Sequence, residues 1–167
     1  STGQEPYSVA MLLKEEAAKM AGWRVEILAT DISNEVLEKA KAGLYSQFEV
    51  QRGLPIQLLI KYFQQMGEMW QIDSSIRAMV KFQKMNLLDN LATLGNFDVI
   101  FCRNVLIYFD HETKAKVLGQ MHDIMAGDGA LFLGGAETVL GICDDLKPIS
   151  GLKGVYTSAA TGMAATG

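Results

Sequence analysis

The chain has little cysteine, no block of like charge and no long apolar run. Two cysteines in 167 residues, Cys102 and Cys143, supply neither a disulfide framework nor a metal-ligand set. Cys102 lies inside an apolar run and reads as a buried thiol. No apolar stretch approaches the ~18 residues that a membrane-crossing helix requires. Lys and Arg number 15 against 19 Asp and Glu, a net charge of −4, and no basic cluster stands out. The electrostatic case for nucleic acid is therefore weak. No signal peptide is visible, and the cytoplasm is the expected compartment. What is present is a globular composition, 49% hydrophobic and 20% charged, which excludes wholesale disorder. A chain of this length makes one ordinary domain and buries roughly 70% of its extended surface. It opens at Ser1 with STGQEPYS, a start that suggests a piece of a longer protein.

Apolar periodicity predicts a first helix from Pro6 to Ala21, with Val9, Leu12, Leu13, Ala17 and Met20 on its inner face and Gly22 as its stop. Val25–Thr30 reads as a buried strand that closes in Asp31. Ser33 caps a second helix that carries Glu35 in its first turn, buries Val36, Leu37 and Ala40, and stops at Gly43. Residues 44–78 form a less regular insert. In it Pro55 opens a helix bearing Leu58, Leu59, Tyr62, Phe63 and Met66, and a strand at Trp70–Ile72 follows the break at Gly67. Residues 79–85 alternate as a strand. Phe97–Cys102 is the strongest strand, apolar on both faces as a central parallel strand should be. Asp110 caps a long helix with Val117, Leu118, Met121, Ile124 and Met125 inward. Asp128–Gly129 turns into a strand Ala130–Leu133, residues 146–157 suit a hairpin around Gly151 and Gly154, and Ala159–Gly167 reads as a flexible tail. Alternating helices and strands predict an α/β fold with a largely parallel sheet, and such sheets bind ligands beyond the carboxyl ends of their strands.

Three strand ends carry polar residues: Asp31, Asn86, and the pair Arg103–Asn104. A carboxylate after an early strand can accept from two ribose hydroxyls, and Asn can pair with an adenine edge. Asp31 could equally be a helix-entry residue and Asn86 a turn residue. Glu5 stands at the start of the first helix, where a dinucleotide enzyme would place a pyrophosphate on glycine-rich backbone. A carboxylate there repels phosphate and suits a ligand with a positive group, such as S-adenosylmethionine. The bland reading is that Glu5 complements the helix dipole. His111 and His122 read as solvated helix positions.

STGQEPYSVAM, ILATDIS, GLYSQFEVQRGLPIQLLIKYF, FQKMNLLD, FDVIFCRNVLIYFD and GGAETVLG resemble, in order and spacing over residues 1 to about 157, the chemotaxis receptor methyltransferases of the CheR type. The resemblance implies a Rossmann-like class I methyltransferase sheet and a catalytic domain over residues 1–158, with 44–78 as a small insert and 159–167 as the tail. It implies a cytoplasmic enzyme that moves a methyl group from S-adenosylmethionine to glutamate side chains of methyl-accepting chemoreceptors. Glu5, Asp31, Asn86, Leu87, Arg103 and Asn104 match family cofactor contacts, and Tyr108 matches the tyrosine beside the transferred methyl. No metal is implied. Family members also carry an N-terminal helical domain and a first, central strand, which the resemblance places ahead of Ser1. Cofactor residues in those parts, including an arginine, have no counterpart here. Residues 64–71, QQMGEMWQ, are short for the loop with which some members dock a receptor peptide.

Methyl transfer to a carboxylate needs alignment and water exclusion more than acid–base groups, since a glutamate with pKa about 4.3 is ionised at neutral pH. The competing expectation is a catalytically silent piece that binds cofactor or receptor. Without a central strand, the strands ending at Thr30 and Cys102 would keep open edges. The chain would then exchange elements between copies, or narrow its cofactor site and lose turnover. A nicotinamide oxidoreductase would share the sheet but lacks its glycine fingerprint here.

Overall fold

The computed structural model describes residues 2–162, with side chains placed to residue 160. The chain divides into two compact units, Ser1–Asn86 and Leu87–Gly167. The first unit contains α1 (Gln4–Glu15), β1 (Ile27–Asp31), α2 (Asn34–Ala42), β2 (Leu44–Ser46), α3 (Gln47–Gln51), α4 (Ile56–Tyr62), β3 (Phe63–Met66), β4 (Met69–Ile72), α5 (Ser74–Arg77) and β5 (Val80–Lys84). The second contains β6 (Phe97–Cys102), α6 (His111–Ile124), β7 (Met125–Leu133), β8 (Leu146–Pro148) and β9 (Val155–Ser158). Short 3₁₀ turns lie at Leu91–Leu94, Leu106–Tyr108 and Ala159–Gly162.

In the first unit β1 and β5 run parallel, with Ile27 opposite Val80 and Asp31 opposite Lys84. The insert forms its own antiparallel sheet, β2-β4-β3. The core joins Tyr7, Ala10 and Met11 of α1 to Tyr45, Val50, Leu59, Tyr62, Ile72, Ile76 and Val80. The hydroxyl of Tyr7 donates to the Ala40 carbonyl at 2.6 Å, and its ring meets Phe82 edge-on at 5.7 Å. Burial pushes the Tyr7 hydroxyl up to about 12, against the opposing pull of Arg77. The far end of α1 is tied down where Lys61 and Tyr62 both donate to Glu15, at 2.8 and 2.6 Å.

α2 has the ends its sequence predicts. The Ser33 side chain accepts from Val36 N–H at 3.3 Å, and Gly43 adopts φ 63° beyond the last turn. α1 corrects its prediction twice. It starts at Gln4 and ends at Glu15, because residues 16–20 turn through i→i−3 bonds and Ala17 and Ala18 find nothing that buries them. Its buried stripe is Tyr7, Ala10 and Met11, while Leu12 is 59% exposed. α4 also stops early, since Phe63 and Met66 pair with Ile72 and Met69 across a hairpin that turns at Gly67. β1 is half-buried throughout, not buried as predicted.

The second unit holds a four-stranded sheet, β6-β7-β9-β8. β6 and β7 are parallel, with a register shift between Phe97 and Val99, and β9 and β8 continue antiparallel as the predicted hairpin. α6 is capped by Asp110, whose Oδ1 accepts from Thr113 N–H at 2.8 Å. It buries Val117, Leu118, Met121 and Ile124. β7 is longer than predicted and absorbs Asp128–Gly129. β6 is not a central strand: among the described residues its one strand partner is β7, and Val99 and Phe101 are 48% and 42% exposed. β1 likewise has β5 as its one strand partner, so each keeps an open edge, as expected for the strands ending at Thr30 and Cys102. Of the tail 159–167, residues 159–162 form a 3₁₀ turn against β7, and the remainder lies outside the described residues.

Candidate functional site

In the first unit Asp31 and Asn86 stand at and just beyond the ends of the paired strands β1 and β5. Asp31 is the last residue of β1, and its carbonyl accepts from Met85 N–H at 3.0 Å, which draws the start of the Met85–Asn86 segment to the end of β1. Asp31 Oδ1 accepts from Ser33 N–H at 2.9 Å. The residue thus ends the strand and enters the helix at once, as its helix-entry reading expects. Asn86 is half-buried two residues beyond β5.

Glu5 lies in the first turn of α1 and is half-buried. That helix has no side-chain cap; its N-cap is Gly3, at φ 100°. A Cβ on Gly3 would stand 2.9 Å from Tyr45 Oη, 3.0 Å from Tyr7 Cε2 and 3.1 Å from Ala40 Cβ. Glycine is required there by conformation and by space. α1 packs against both β1 and β5. The set Glu5, Asp31 and Asn86 offers two carboxylates and an amide. This chemistry fits a ligand with an ammonium, a sulfonium, ribose hydroxyls and an adenine, and two carboxylates disfavour a phosphate. A separate cavity of about 270 Å³, lined by Tyr7, Met11, Tyr45, Val50, Leu54 and Leu58 among others, includes none of these three residues.

In the second unit Arg103 and Asn104 follow β6 directly and are exposed. Leu87 opens the unit and is half-buried. Tyr108 ends the 3₁₀ turn after β6 and is 80% exposed. Asn104 takes φ 60°, the left-handed region, and is the one non-glycine residue there among the described residues. That backbone is held by a residue the sequence reading did not single out. Glu137 is 8% exposed, and its carboxylate accepts four backbone N–H groups. Oε1 takes Asn104 at 2.6 Å and Gly134 at 2.8 Å; Oε2 takes Val105 at 3.1 Å and Ile107 at 3.3 Å. The signal was available, because the strand-end rule applied after Ala130–Leu133 leads through Gly134 and Gly135 to Glu137.

Cys102 is buried, as read. His111 is exposed, with Nε2 2.9 Å from the Gly141 carbonyl. His122 corrects its prediction: it is half-buried and pairs with Ser158 Oγ at 3.1 Å. Among the described residues no His/Cys/Asp/Glu group could hold a metal ion, and no helix is long and apolar enough to cross a membrane.

The family model for the CheR methyltransferase, SAM binding domain, matches residues 1–155. The chain is 38% identical over 163 residues to the chemotaxis protein methyltransferase Cher2 of Pseudomonas putida, covering 95% of this chain and 59% of that protein. It is 40% identical over 163 residues to chemotaxis protein methyltransferase 1 of Pseudomonas aeruginosa, covering 95% of this chain and 60% of that protein. It therefore spans about three-fifths of the length of these relatives. The solved structure of LepI in complex with SAM is similar at TM-score 0.45 and 14% identity, over 81% of this chain and 26% of that one, a likeness too slight to bear on function. By the match over residues 1–155 and these identities, the chain belongs to the CheR methyltransferase family, within its S-adenosylmethionine-binding domain.

Proposed function

We propose that the protein carrying this chain is a cytoplasmic protein-glutamate O-methyltransferase acting on methyl-accepting chemoreceptors. The observation that carries the reading is the family match over residues 1–155, with 38–40% identity to chemotaxis protein methyltransferases. When bound, S-adenosylmethionine supplies the methyl group, which a receptor glutamate takes by in-line attack at carbon while the sulfur leaves as a thioether. The residues of the chain bind and align. Asp31 would accept from ribose hydroxyls, Asn86 would pair with the adenine edge, and Glu5 would complement the positive charge of the methionine part. In the second unit, Leu87, Arg103 and Asn104 would be cofactor contacts by the family resemblance. Tyr108 orients the reacting groups near the methyl. No general base is needed, since the acceptor is already an anion.

The test is transfer of labelled methyl from S-adenosylmethionine to a chemoreceptor by the full-length protein, run beside calorimetry with S-adenosylhomocysteine. Label in the receptor is the expected result. Binding of the homocysteine product without any transfer would favour the silent, binding-only reading instead.

A further inference from the structure

We infer that Glu137 is a positioning residue, whose carboxylate sets the backbone that presents Arg103, Asn104 and Tyr108. This rests on the functional reading above, which places those three residues in the site. Four backbone donors converge on one buried carboxylate: Asn104, Val105 and Ile107 from the segment after β6, and Gly134 from the end of β7. The donors from the first segment fall within four residues, the stretch between the cofactor contacts and Tyr108. Asn104 sits at φ 60°, in the left-handed region, and the bond from its N–H to Oε1, at 2.6 Å, is the shortest of the four.

The opposite wall is as specific. A Cβ on Gly134 would collide with Asn104 Oδ1, approach Glu137 Oε1 to 2.8 Å and approach Asn104 N to 3.0 Å. Gly134 and Glu137 thus form one device, a bare backbone and a carboxylate three residues apart, which clamps the turn after β6 to the turn after β7. Parallel β6–β7 pairing, with Cys102 opposite Leu133, brings the two turns side by side.

Glu137→Gln keeps the size but turns an NH₂ toward two of the four donors. Hydrogen bonds to charged groups carry enough energy that their loss shifts an equilibrium roughly 10- to 100-fold. We expect turnover at saturating S-adenosylmethionine to fall roughly 10- to 100-fold. The amide hydrogens of Asn104, Val105 and Ile107 should exchange faster by a similar factor, while that of Leu131 in β7 is unchanged. Faster exchange with intact turnover and intact S-adenosylhomocysteine affinity would overturn the inference, and so would lost turnover with unaltered exchange. If Glu137→Gln does not fold, Gly134→Ala carries the test, since its Cβ crowds both Asn104 and the Glu137 carboxylate and so disturbs the clamp from the other side; normal turnover in that variant contradicts the clamp. The unsubstituted protein gives a further arm without any variant: the three amides should be protected, and exchange at the rate of an open chain would refute the device. An unsubstituted protein that neither binds S-adenosylhomocysteine nor transfers methyl would sink the functional reading instead, while the exchange arm still reports on Glu137.

Discussion

At the scale of single residues the account turns on a few polar side chains at strand ends. Asp31 would give a ribose a charged acceptor, and hydrogen bonds to charged groups are worth about 1.5–3 kcal/mol. Asp31→Ala in the full-length protein is expected to weaken S-adenosylhomocysteine binding roughly 10- to 100-fold, read by calorimetry; unchanged affinity removes Asp31 from the site. Tyr108, 80% exposed, has little of the burial a binding anchor needs. Tyr108→Phe should lower turnover more than cofactor affinity, and the reverse pattern in a steady-state and binding comparison would make it a binding residue. The sequence could single these residues out because strand-end position is local: Asp31 and Arg103–Asn104 follow apolar runs directly, and Asn86 follows the alternating stretch 79–85. Glu137 was not legible in the same way. Its partners Asn104, Val105 and Ile107 lie 30 to 33 residues away in the chain, and only the β6–β7 register brings them to it.

At the scale of elements, caps were legible and packing was not. Ser33, Gly43 and Asp110 mark their helix ends by local bonding, so α2 and α6 lie close to prediction. α1 did not, because its apolar residues fit two faces and tertiary contact chose Tyr7, Ala10 and Met11. Gly43 shows how tight one such end is. At φ 63°, a Cβ would stand 2.7 Å from Ile72 Cγ2 and 2.9 Å from Arg77 Cδ. Gly43→Ala should cost about 1–2 kcal/mol from the left-handed backbone alone, with crowding added, measured by urea unfolding; no change would mean that the end of α2 relaxes freely. At the start of α6, the bonds from Thr113 hold the Asp110 carboxyl below the usual carboxylate range. Because its folded value lies below the unfolded one, its stabilising effect is present above about pH 4 and is lost as pH falls through the folded value. Asp110→Ala should therefore lower the melting temperature at pH 7, with the difference from the unsubstituted protein shrinking as pH falls below about 4. A difference that persists at low pH would assign the effect to packing instead.

For the whole molecule, the α/β class followed from alternating helices and strands, and family membership from six motifs in order. The open edges of β1 and β6 were also foreseeable, because the family resemblance expects a central strand between them that none of the motifs supplies. The division at Asn86–Leu87 was not, since no proline, glycine or charge run marks it. The central claim is chemical: a methyl group ends on a glutamate carboxylate. The most direct measurement incubates the full-length protein with a methyl-accepting chemoreceptor and S-adenosylmethionine, then identifies the modified receptor side chain by mass spectrometry. The account predicts base-labile methyl esters on glutamates, and strongly reduced esters with the Tyr108→Phe protein. Methyl found only on another side chain type, or no receptor methylation while S-adenosylhomocysteine still binds, would contradict it.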